Sequence, residues 1–132
     1  MQFYQPACMP QSEAPFSQVV IDDHYVHLAG IVAADFPAGL AALGDAGEET
    51  RSVMRMIGEI LAELSLDFRH IVRTDVHLAD LDDFDAMDDA YRGFFPPGRY
   101  PARTTTESRR LFGNSRVEIT CMVQRQRNEA GR

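Results

Sequence analysis

Two charged side chains near the end of the chain have the types needed for chemistry on a small carboxylic acid. Arg103 lies in the segment Tyr-Pro-Ala-Arg-Thr-Thr-Thr-Glu, residues 100–107, and Glu118 lies in the apolar segment 115–123. The guanidinium group of an arginine can hold a carboxylate through two parallel hydrogen bonds. A glutamate can orient or deprotonate a water molecule. Together these residues could bind a carboxylate and deliver water to a neighbouring carbon atom.

Both residues lie in segments whose patterns predict β-strands. Segment 100–107 is rich in β-branched threonine, and the alternation of a strand places Arg103 and Thr105 on one face. Segment 115–123 alternates apolar and polar residues and places Glu118 opposite the apolar face. A Gly-Asn turn joins the two segments, so we expect paired strands. An arginine and a glutamate on paired strands more often form a surface ion pair of little energetic weight, and this alternative stays open.

The first half of the chain predicts short strands and one helix. Residues 1–17 contain several prolines and are expected to be irregular, apart from a short edge strand at residues 2–5. Apolar segments 19–21 and 24–28 flank a polar turn and predict a hairpin. Apolar residues between positions 53 and 64 recur at helical spacing, so they predict one amphipathic helix.

The second half adds a strand, a helix and the two C-terminal strands. Alternation at residues 70–78 predicts a strand with Val72 on its apolar face and Ile71 on the other face. An acidic start at Asp80 and an apolar stripe predict a second helix that ends before Pro96. Two helices cannot cover both faces of a sheet of about six strands. One face therefore packs on the helices, and the other is polar or meets a partner.

Composition and net charge indicate the domain size, the cellular compartment and the classes of partner to expect. The chain has 132 residues, 45% of them hydrophobic, which predicts a single domain over residues 1–132 with a C-terminal tail at 125–132. The net charge of −7 argues against a nucleic-acid partner. Cys8 and Cys121 do not make a disulfide framework, so we expect a cytoplasmic protein. The sequence has no apolar run of ~18 residues, so we expect no membrane-spanning segment.

The histidines and cysteines do not predict a metal site. His24 and His27 are three residues apart, which in a strand places them on opposite faces. His70 and His77 are also at odd spacing, and no Cys–His cluster is present in the sequence. Cys8 lacks the partners typical of a nucleophile. We therefore expect no metal ligand among these residues.

Several motifs, in order along the chain, resemble one protein family. Residues 101–103 (Pro-Ala-Arg), with Glu107, Leu111 and residues 117–119 (Val-Glu-Ile), resemble the C-terminal signature of the RidA (YjgF-type) reactive-intermediate deaminases. The other matching segments are residues 14–18 (Ala-Pro-Phe-Ser-Gln), 28–30 (Leu-Ala-Gly), 83–84 (Asp-Phe), Tyr91 and 94–95 (Phe-Phe). The matches span nearly the whole chain.

The resemblance implies a fold, an activity and a site. It implies a chorismate-mutase-like α+β fold in a homotrimer with ligand clefts between subunits. It also implies hydrolysis of 2-imino and enamino acids to 2-keto acids and ammonia, with no metal or organic cofactor. Arg103 then binds the substrate carboxylate, Glu118 positions the water, and Gly30 and Ile31 contact the ligand through their backbone. Thr105 stands where many members have a cysteine that acts largely through its carbonyl.

Four positions of the expected site region depart from the family pattern. Phe16 stands where tyrosine is common, Ala29 replaces a serine and Asp88 replaces an asparagine. Phe112 replaces a proline in the turn before the last strand. The simplest explanation of Phe16 and Ala29 is packing, and that of Asp88 is a solvated acidic helix face. As site residues, Phe16, Ala29 and Asp88 would instead indicate a changed substrate.

Three functions remain open on the sequence. The first is a RidA-like deaminase of small 2-imino or enamino acids. The second is a non-catalytic trimer that binds small carboxylates such as 2-keto acids. The third is the ribonuclease or translation-inhibitor activity of some relatives, which the acidic net charge disfavours.

Overall fold

The computed structural model describes residues 1–125, and its centre is one six-stranded mixed sheet. The strands are β1 (Gln2–Tyr4), β2 (Val19–Ile21), β3 (Tyr25–Val32), β4 (Ile71–Leu78), β5 (Ala102–Glu107) and β6 (Val117–Gln124). They lie in the order β1-β2-β3-β6-β4-β5. Strands β4 and β5 pair in parallel, and the other neighbouring strands pair antiparallel. This confirms the predicted α+β fold and the predicted hairpin. Most of the predicted tail, residues 126–132, lies outside the described residues.

Two longer helices lie on one face of the sheet. Within residues 1–125 the α-helices are α1 (Pro37–Leu40), α2 (Ala46–Glu63) and α3 (Phe84–Arg92). Short 3-10 turns occupy Ala33–Asp35, Phe68–His70, Leu81–Asp83 and Phe112–Asn114. Helix α2 contains the apolar stripe predicted between positions 53 and 64 but begins earlier, at Ala46, where Asp45 caps it by accepting a hydrogen bond from the Glu48 N–H at 3.0 Å. No helix of the described residues is long and apolar enough to cross a bilayer.

The core fills the space between the helices and the sheet. Its fully buried side chains include Val53, Ile57, Ile60 and Leu61 from α2, Val76 and Leu78 from β4, and Val117, Ile119 and Val123 from β6. Burying such aliphatic side chains is the main stabilising contribution, of roughly 1.5–3 kcal/mol each. The two predicted apolar stripes therefore meet the apolar faces of the central strands.

One charged residue is buried in this core. Glu49 of α2 is 0% exposed, and its carboxylate accepts hydrogen bonds from the Gly44 N–H and the Arg116 N–H, both at 2.8 Å. A buried carboxylate is tolerated when backbone donors satisfy it. Glu49 thereby ties the loop before α2 to the residue that precedes β6.

The prediction that the two C-terminal strands are paired is wrong. Strand β4 lies between β5 and β6. The reason is that a parallel partner needs a crossover connection, and α3 supplies one between β4 and β5. After β5 the chain passes to the other edge of β4, where β6 pairs with β4 in the antiparallel direction.

The prediction for Ile71 is also wrong. The register of β4 against β6 shifts between Ile71 and Arg73, which adds one residue to β4. Ile71 therefore faces the helices and is 6% exposed, whereas Val72 is only partly buried. After the shift, Arg73, Asp75 and His77 face away from the helices as predicted.

The face away from the helices, called the open face below, is polar and half-buried. Arg73 donates hydrogen bonds to Asp75 at 2.9 Å and to Thr104 at 2.7 Å, and His77 hydrogen-bonds Thr106 at 2.8 Å. Met122 stands opposite Arg73 and is partly buried. No helix of the described residues packs on this face, which matches the predicted one-sided architecture.

The N-terminal segment is fixed to the end of α2 by one carboxylate. Glu63 accepts hydrogen bonds from the Tyr4 hydroxyl at 2.6 Å and from the Ala7 and Cys8 N–H groups at 2.9 Å each. The Tyr4 hydrogen bond, followed by the backbone hydrogen bonds, lowers the pKa of Glu63 from 4.5 to about 2. Strand β1 pairs with β2, and the irregular residues that follow β1 are held to α2 by charge-assisted hydrogen bonds.

Glu63→Gln should destabilise the protein at neutral pH. The lowered pKa means that Glu63 stabilises the fold above its ordinary pKa of 4.5 and loses this contribution as the pH falls towards about 2. Urea unfolding at several pH values should show a gap between wild type and Glu63→Gln that narrows in this window. Glu59→Gln, an exposed change one turn earlier on α2, is the matched control. A gap of constant size at all pH values would contradict the role of the Glu63 charge.

Candidate functional site

Arg103 faces the helices. Strand β5 brings Arg103 into register with Thr74 of β4, and Thr74 is in register with Cys121 of β6. Cys121 and Thr74 are buried under the helices, at 3% and 0% exposure. The side chain of Arg103 therefore points towards α3 from the edge strand of the sheet.

Aromatic rings and a carboxylate hold the Arg103 guanidinium. Its central carbon lies 4.8 Å from the centre of the Tyr91 ring and 5.5 Å from that of Phe84. Its Nη2 atom lies 2.8 Å from Oδ1 of Asp88, and the other Asp88 oxygen lies 3.0 Å from Nη2 of Arg92. One carboxylate thus serves two guanidinium groups, which leaves the cluster with a positive excess.

Tyr91 packs its ring against the Arg103 guanidinium and is anchored to β4. Its hydroxyl group hydrogen-bonds the Thr74 hydroxyl at 2.8 Å, and burial raises the pKa of Tyr91. Tyr91 therefore presents a neutral ring to Arg103. A cavity of about 290 Å³ opens beside them, called the Arg103 cavity below. Its lining residues are Asp88, Tyr91, Arg92, Tyr100, Pro101 and Arg103.

Glu118 lies on the open face, opposite to Arg103. Strand β6 brings Glu118 into register with His77 of β4. His77 and Thr74 are three residues apart on β4, so their side chains point to opposite faces of the sheet. Glu118, in register with His77, therefore faces away from Arg103, which is in register with Thr74. The Glu118 carboxylate lies directly over Gly30 of β3, where an added Cβ atom would overlap its Oε2 atom. Glycine at position 30 therefore makes room for the acid.

Strand β3 is irregular at this point. It extends past the predicted segment 24–28 to Val32, with a register shift between Leu28 and Ile31. Such a bulge re-aims the backbone next to a site. Ile31 is 0% exposed and belongs to the core, so in the single chain neither its side chain nor its backbone is open to a ligand.

A second cavity, of about 490 Å³, surrounds Glu118 and is called the Glu118 cavity below. Its lining residues are Met9, Pro10, Gln11, Ser12, Ala14, Phe16, Gln18, Gly30, Val32, Ala34, Asp35, Phe112 and Glu118. Asp35 accepts a hydrogen bond from the Val32 N–H at 3.2 Å, and burial raises the pKa of Asp35. The cavity is mostly apolar, and the charged side chains that line it are both acidic.

The predicted site residues fall into two groups in one chain. Arg103 and Asp88 line the first cavity, and Thr105 lies on the same face of β5 as Arg103 without lining either cavity. Phe16, Gly30 and Glu118 line the second cavity. Ala29 is next to the second group, and its N–H donates to the Gln18 carbonyl at 2.9 Å.

Some lining residues escaped the sequence reasoning. The sequence identifies Tyr91 as a family match but gives it no role at the site, although its ring packs against Arg103. Nothing in the local pattern indicates that Asp35 and Gln18 approach Glu118, because they reach it through the packing of separate segments. Gln18 is 7% exposed, and its Nε2 atom has no hydrogen-bond partner within residues 1–125.

Among the described residues, Glu118 does not form the surface ion pair with an arginine that the sequence left open as an alternative. Arg116 lies 2.7 Å from Asp83, and Arg103 pairs with Asp88. Within the described residues, Glu118 forms no ion pair. Its carboxylate is therefore available to a ligand or to water in the cavity.

The histidines and cysteines make ordinary local contacts. His27 lies 2.7 Å from Asp22, and His70 accepts from the Asp67 N–H at 3.1 Å. In residues 1–125 no group of three or more His, Cys, Asp or Glu side chains is arranged to hold a metal ion. Burial, followed by the contact with Glu63, raises the pKa of Cys8 to about 12, which keeps the thiol protonated.

Comparison with known proteins identifies the family. The sequence profile of the family described as Endoribonuclease L-PSP matches residues 7–125. This chain therefore belongs to that family, to which the RidA (YjgF-type) resemblance pointed. The mouse protein named 2-iminobutanoate/2-iminopropanoate deaminase is 36% identical over 114 residues, covering 86% of this chain and 84% of the mouse protein. The human protein of the same name is 33% identical, covering 86% of this chain and 82% of the human protein.

A solved structure also matches. A member of the YjgF protein family from Neisseria meningitidis superposes with a TM-score of 0.75 at 26% identity. The match covers 89% of this chain and 92% of the Neisseria protein. The six-stranded sheet with helices on one face is therefore the fold of this family.

Asp88→Asn should strengthen the binding of a small monocarboxylate such as pyruvate. Asp88 competes with an added carboxylate for the Arg103 fork, and half-buried ion pairs of this kind are worth about 1 kcal/mol, or roughly fivefold in affinity. Isothermal calorimetry measures the change. Asp89→Asn removes the same charge from an exposed neighbouring position and should have little effect. Weaker binding in Asp88→Asn would mean that Asp88 mainly orients Arg103.

Proposed function

We propose that this protein is a homotrimeric deaminase that hydrolyses 2-imino and enamino acids to 2-keto acids and ammonia at sites between subunits. The observation that carries the proposal is a pair of groups: the Arg103 guanidinium held against aromatic rings, and the Glu118 carboxylate, which lies over Gly30 and forms no ion pair within residues 1–125. Relatives at 33% and 36% identity carry the name of an imine deaminase, which supports the same activity.

Two groups carry the proposed reaction. Arg103 holds the substrate carboxylate and so fixes the neighbouring C=N carbon. Glu118 accepts a proton from water as the water oxygen bonds to that carbon, and it passes this proton to the imine nitrogen, which gives a carbinolamine. The carbinolamine hydroxyl group then loses its proton, by way of Glu118, to the amino group as the C=O bond forms and the C–N bond breaks, so that ammonia leaves. The net change is addition of water and loss of ammonia, with no oxidation or reduction.

The separation of the two groups supports a site between subunits. Arg103 and Glu118 point to opposite faces of one sheet, with β4 between their strands. A molecule as small as an imino acid cannot reach both groups in one chain. A second chain that brings its Arg103 cavity to the Glu118 cavity completes the site, and the half-buried open face offers a surface for such contact.

Two other functions are weaker explanations of the same site. A carboxylate-binding protein without turnover needs Arg103 but gives no reason for an unpaired acid over Gly30. Phe16, which brings no hydroxyl group to the Glu118 cavity, is the observation in its favour. An endoribonuclease, as the name of the matched family suggests, needs a cationic surface for phosphates, and the net charge of this chain is −7.

Arg103→Ala should weaken the binding of 2-keto acids by about 2–3 kcal/mol, because a charge-assisted contact is lost. Arg103→Lys should not restore it, since lysine lacks the planar fork. Calorimetry with pyruvate measures both variants. Arg55→Ala, an exposed change on α2, is the control. Equal affinity in wild type and Arg103→Ala would reject the role.

Glu118→Gln should lower the turnover of imines by ~10²-fold and leave keto-acid binding nearly intact. Glutamine keeps the size of the side chain but cannot take the proton of water. The substrate is generated in place by an amino-acid oxidase, and hydrolysis is followed as the loss of free imine with and without this protein. Unchanged turnover in Glu118→Gln would remove Glu118 from the mechanism.

Mixing the two inactive variants tests the intersubunit site. If Arg103 and Glu118 of one site come from different chains, Arg103→Ala and Glu118→Gln chains refolded together should recover about a quarter of wild-type turnover. Light scattering should give three times the 14.8 kDa chain mass. Each variant refolded alone is the control. No recovery in mixed trimers would place both groups of a site on one chain.

A further inference from the structure

The Glu118 cavity is built for a large apolar group. We infer that it receives the side chain of the substrate, and that this enzyme prefers imino acids with aromatic or branched aliphatic side chains over the smallest ones. The inference rests on the proposed function, because it assigns a substrate class to the same site. It is carried by the size of the cavity, by two phenyl rings at its rim and by the signs of its charges.

The cavity is larger than the smallest substrates require. Its volume is about 490 Å³, within the range of roughly 300–1,000 Å³ typical of pockets for drug-sized ligands. Its walls include Met9, Pro10, Val32 and Ala34. A substrate whose side chain is a methyl group would leave most of these walls in contact with water.

Two phenyl rings at the cavity are exposed in the chain. Phe16 is 53% exposed and Phe112 is 80% exposed, and both line the cavity. Large apolar side chains that converge on a concave site gain stability when a ligand covers them. Aromatic side chains also prefer contact with other rings in offset or edge-to-face geometry. The rings therefore favour a substrate with an apolar side chain of their own.

The position of Phe112 is fixed by its turn. Gly113 has a φ angle of +64°, in the left-handed region, and an added Cβ atom would overlap the Ala34 side chain. The Ala34 N–H donates to the Ser115 hydroxyl at 3.4 Å. These contacts press the Phe112–Asn114 turn onto the Ala33–Asp35 turn. The backbone of Phe112 is therefore fixed beside the cavity, and its exposed side chain starts from a defined position at the cavity.

The charges of the cavity reject a second anionic group. Asp35 and Glu118 line it, and no arginine or histidine of the described residues lines it. A carboxylate on the substrate side chain would face two acids without a cation. Imino acids derived from aspartate or glutamate should therefore be poor substrates, whereas an uncharged apolar side chain meets no such cost.

The test compares two imines as substrates of the 132-residue chain. Amino-acid oxidases generate the imines of phenylalanine and of alanine, and kcat/KM is measured for each as the rate at which free imine disappears. Wild type should prefer the phenylalanine imine by at least about tenfold, since apolar contacts in a pocket discriminate by roughly 10–200-fold. Phe112→Ala should reduce this ratio several-fold, and Phe112→Leu should reduce it less. Phe3→Ala makes the same change at an exposed ring on β1, outside both cavities, and should leave the ratio unchanged.

Keto-acid binding separates this inference from the proposed function. Calorimetry should show tighter binding of phenylpyruvate than of pyruvate, with the difference reduced in Phe112→Ala. If no imine is hydrolysed but this binding order holds, the deaminase proposal fails and the substrate-class inference stands. If imines are hydrolysed with equal or better kcat/KM for the alanine imine, the inference is overturned and the deaminase proposal stands. An unchanged ratio in Phe112→Ala also overturns it.

Discussion

Side chains alternate between the two faces of a strand, and this constraint organises the whole site. Arg103 is in register with Thr74 and Cys121, whose side chains face the helices. Glu118 is in register with His77, whose side chain faces away from the helices. A shift of one residue in either strand would exchange these faces. The register of the central strands therefore decides not only which residues form the core but also which two surfaces the proposed site between subunits would join.

The two halves of the site are prepared in different ways. In the Arg103 half, two aromatic rings and the Asp88 carboxylate hold the guanidinium in a fixed position. The Glu118 half is spacious and apolar, and its acid has room because Gly30 carries no side chain. One half can orient the constant part of a substrate, its carboxylate, while the other half meets the variable part. Such a division lets a family keep one chemistry while its substrates change.

Local patterns in the sequence predicted most elements, and long-range pairing accounts for what they missed. Helix α2 follows from the spacing of its apolar residues, and the β2–β3 hairpin follows from its polar turn. The position of β5 beyond β4 depends on a crossover, which no local pattern records. The bulge that moves Ile71 to the core is likewise a property of two strands together. The resemblance to known motifs named the site residues, but their division between two faces and two cavities became visible only in the folded chain.

The two hydrogen bonds of buried Glu49 have a consequence for the turn beside the cavity. By accepting from Arg116 N–H, Glu49 fixes the residue that precedes β6 from a helix 67 positions earlier in the chain. Strand β6, with Glu118 near its start, is thus anchored independently of the Phe112–Asn114 turn. Apart from Gly113, whose added Cβ atom would overlap Ala34, the turn can therefore change its side chains while β6 stays in place. The residue at position 112, which lines the Glu118 cavity, is replaceable without rebuilding the sheet.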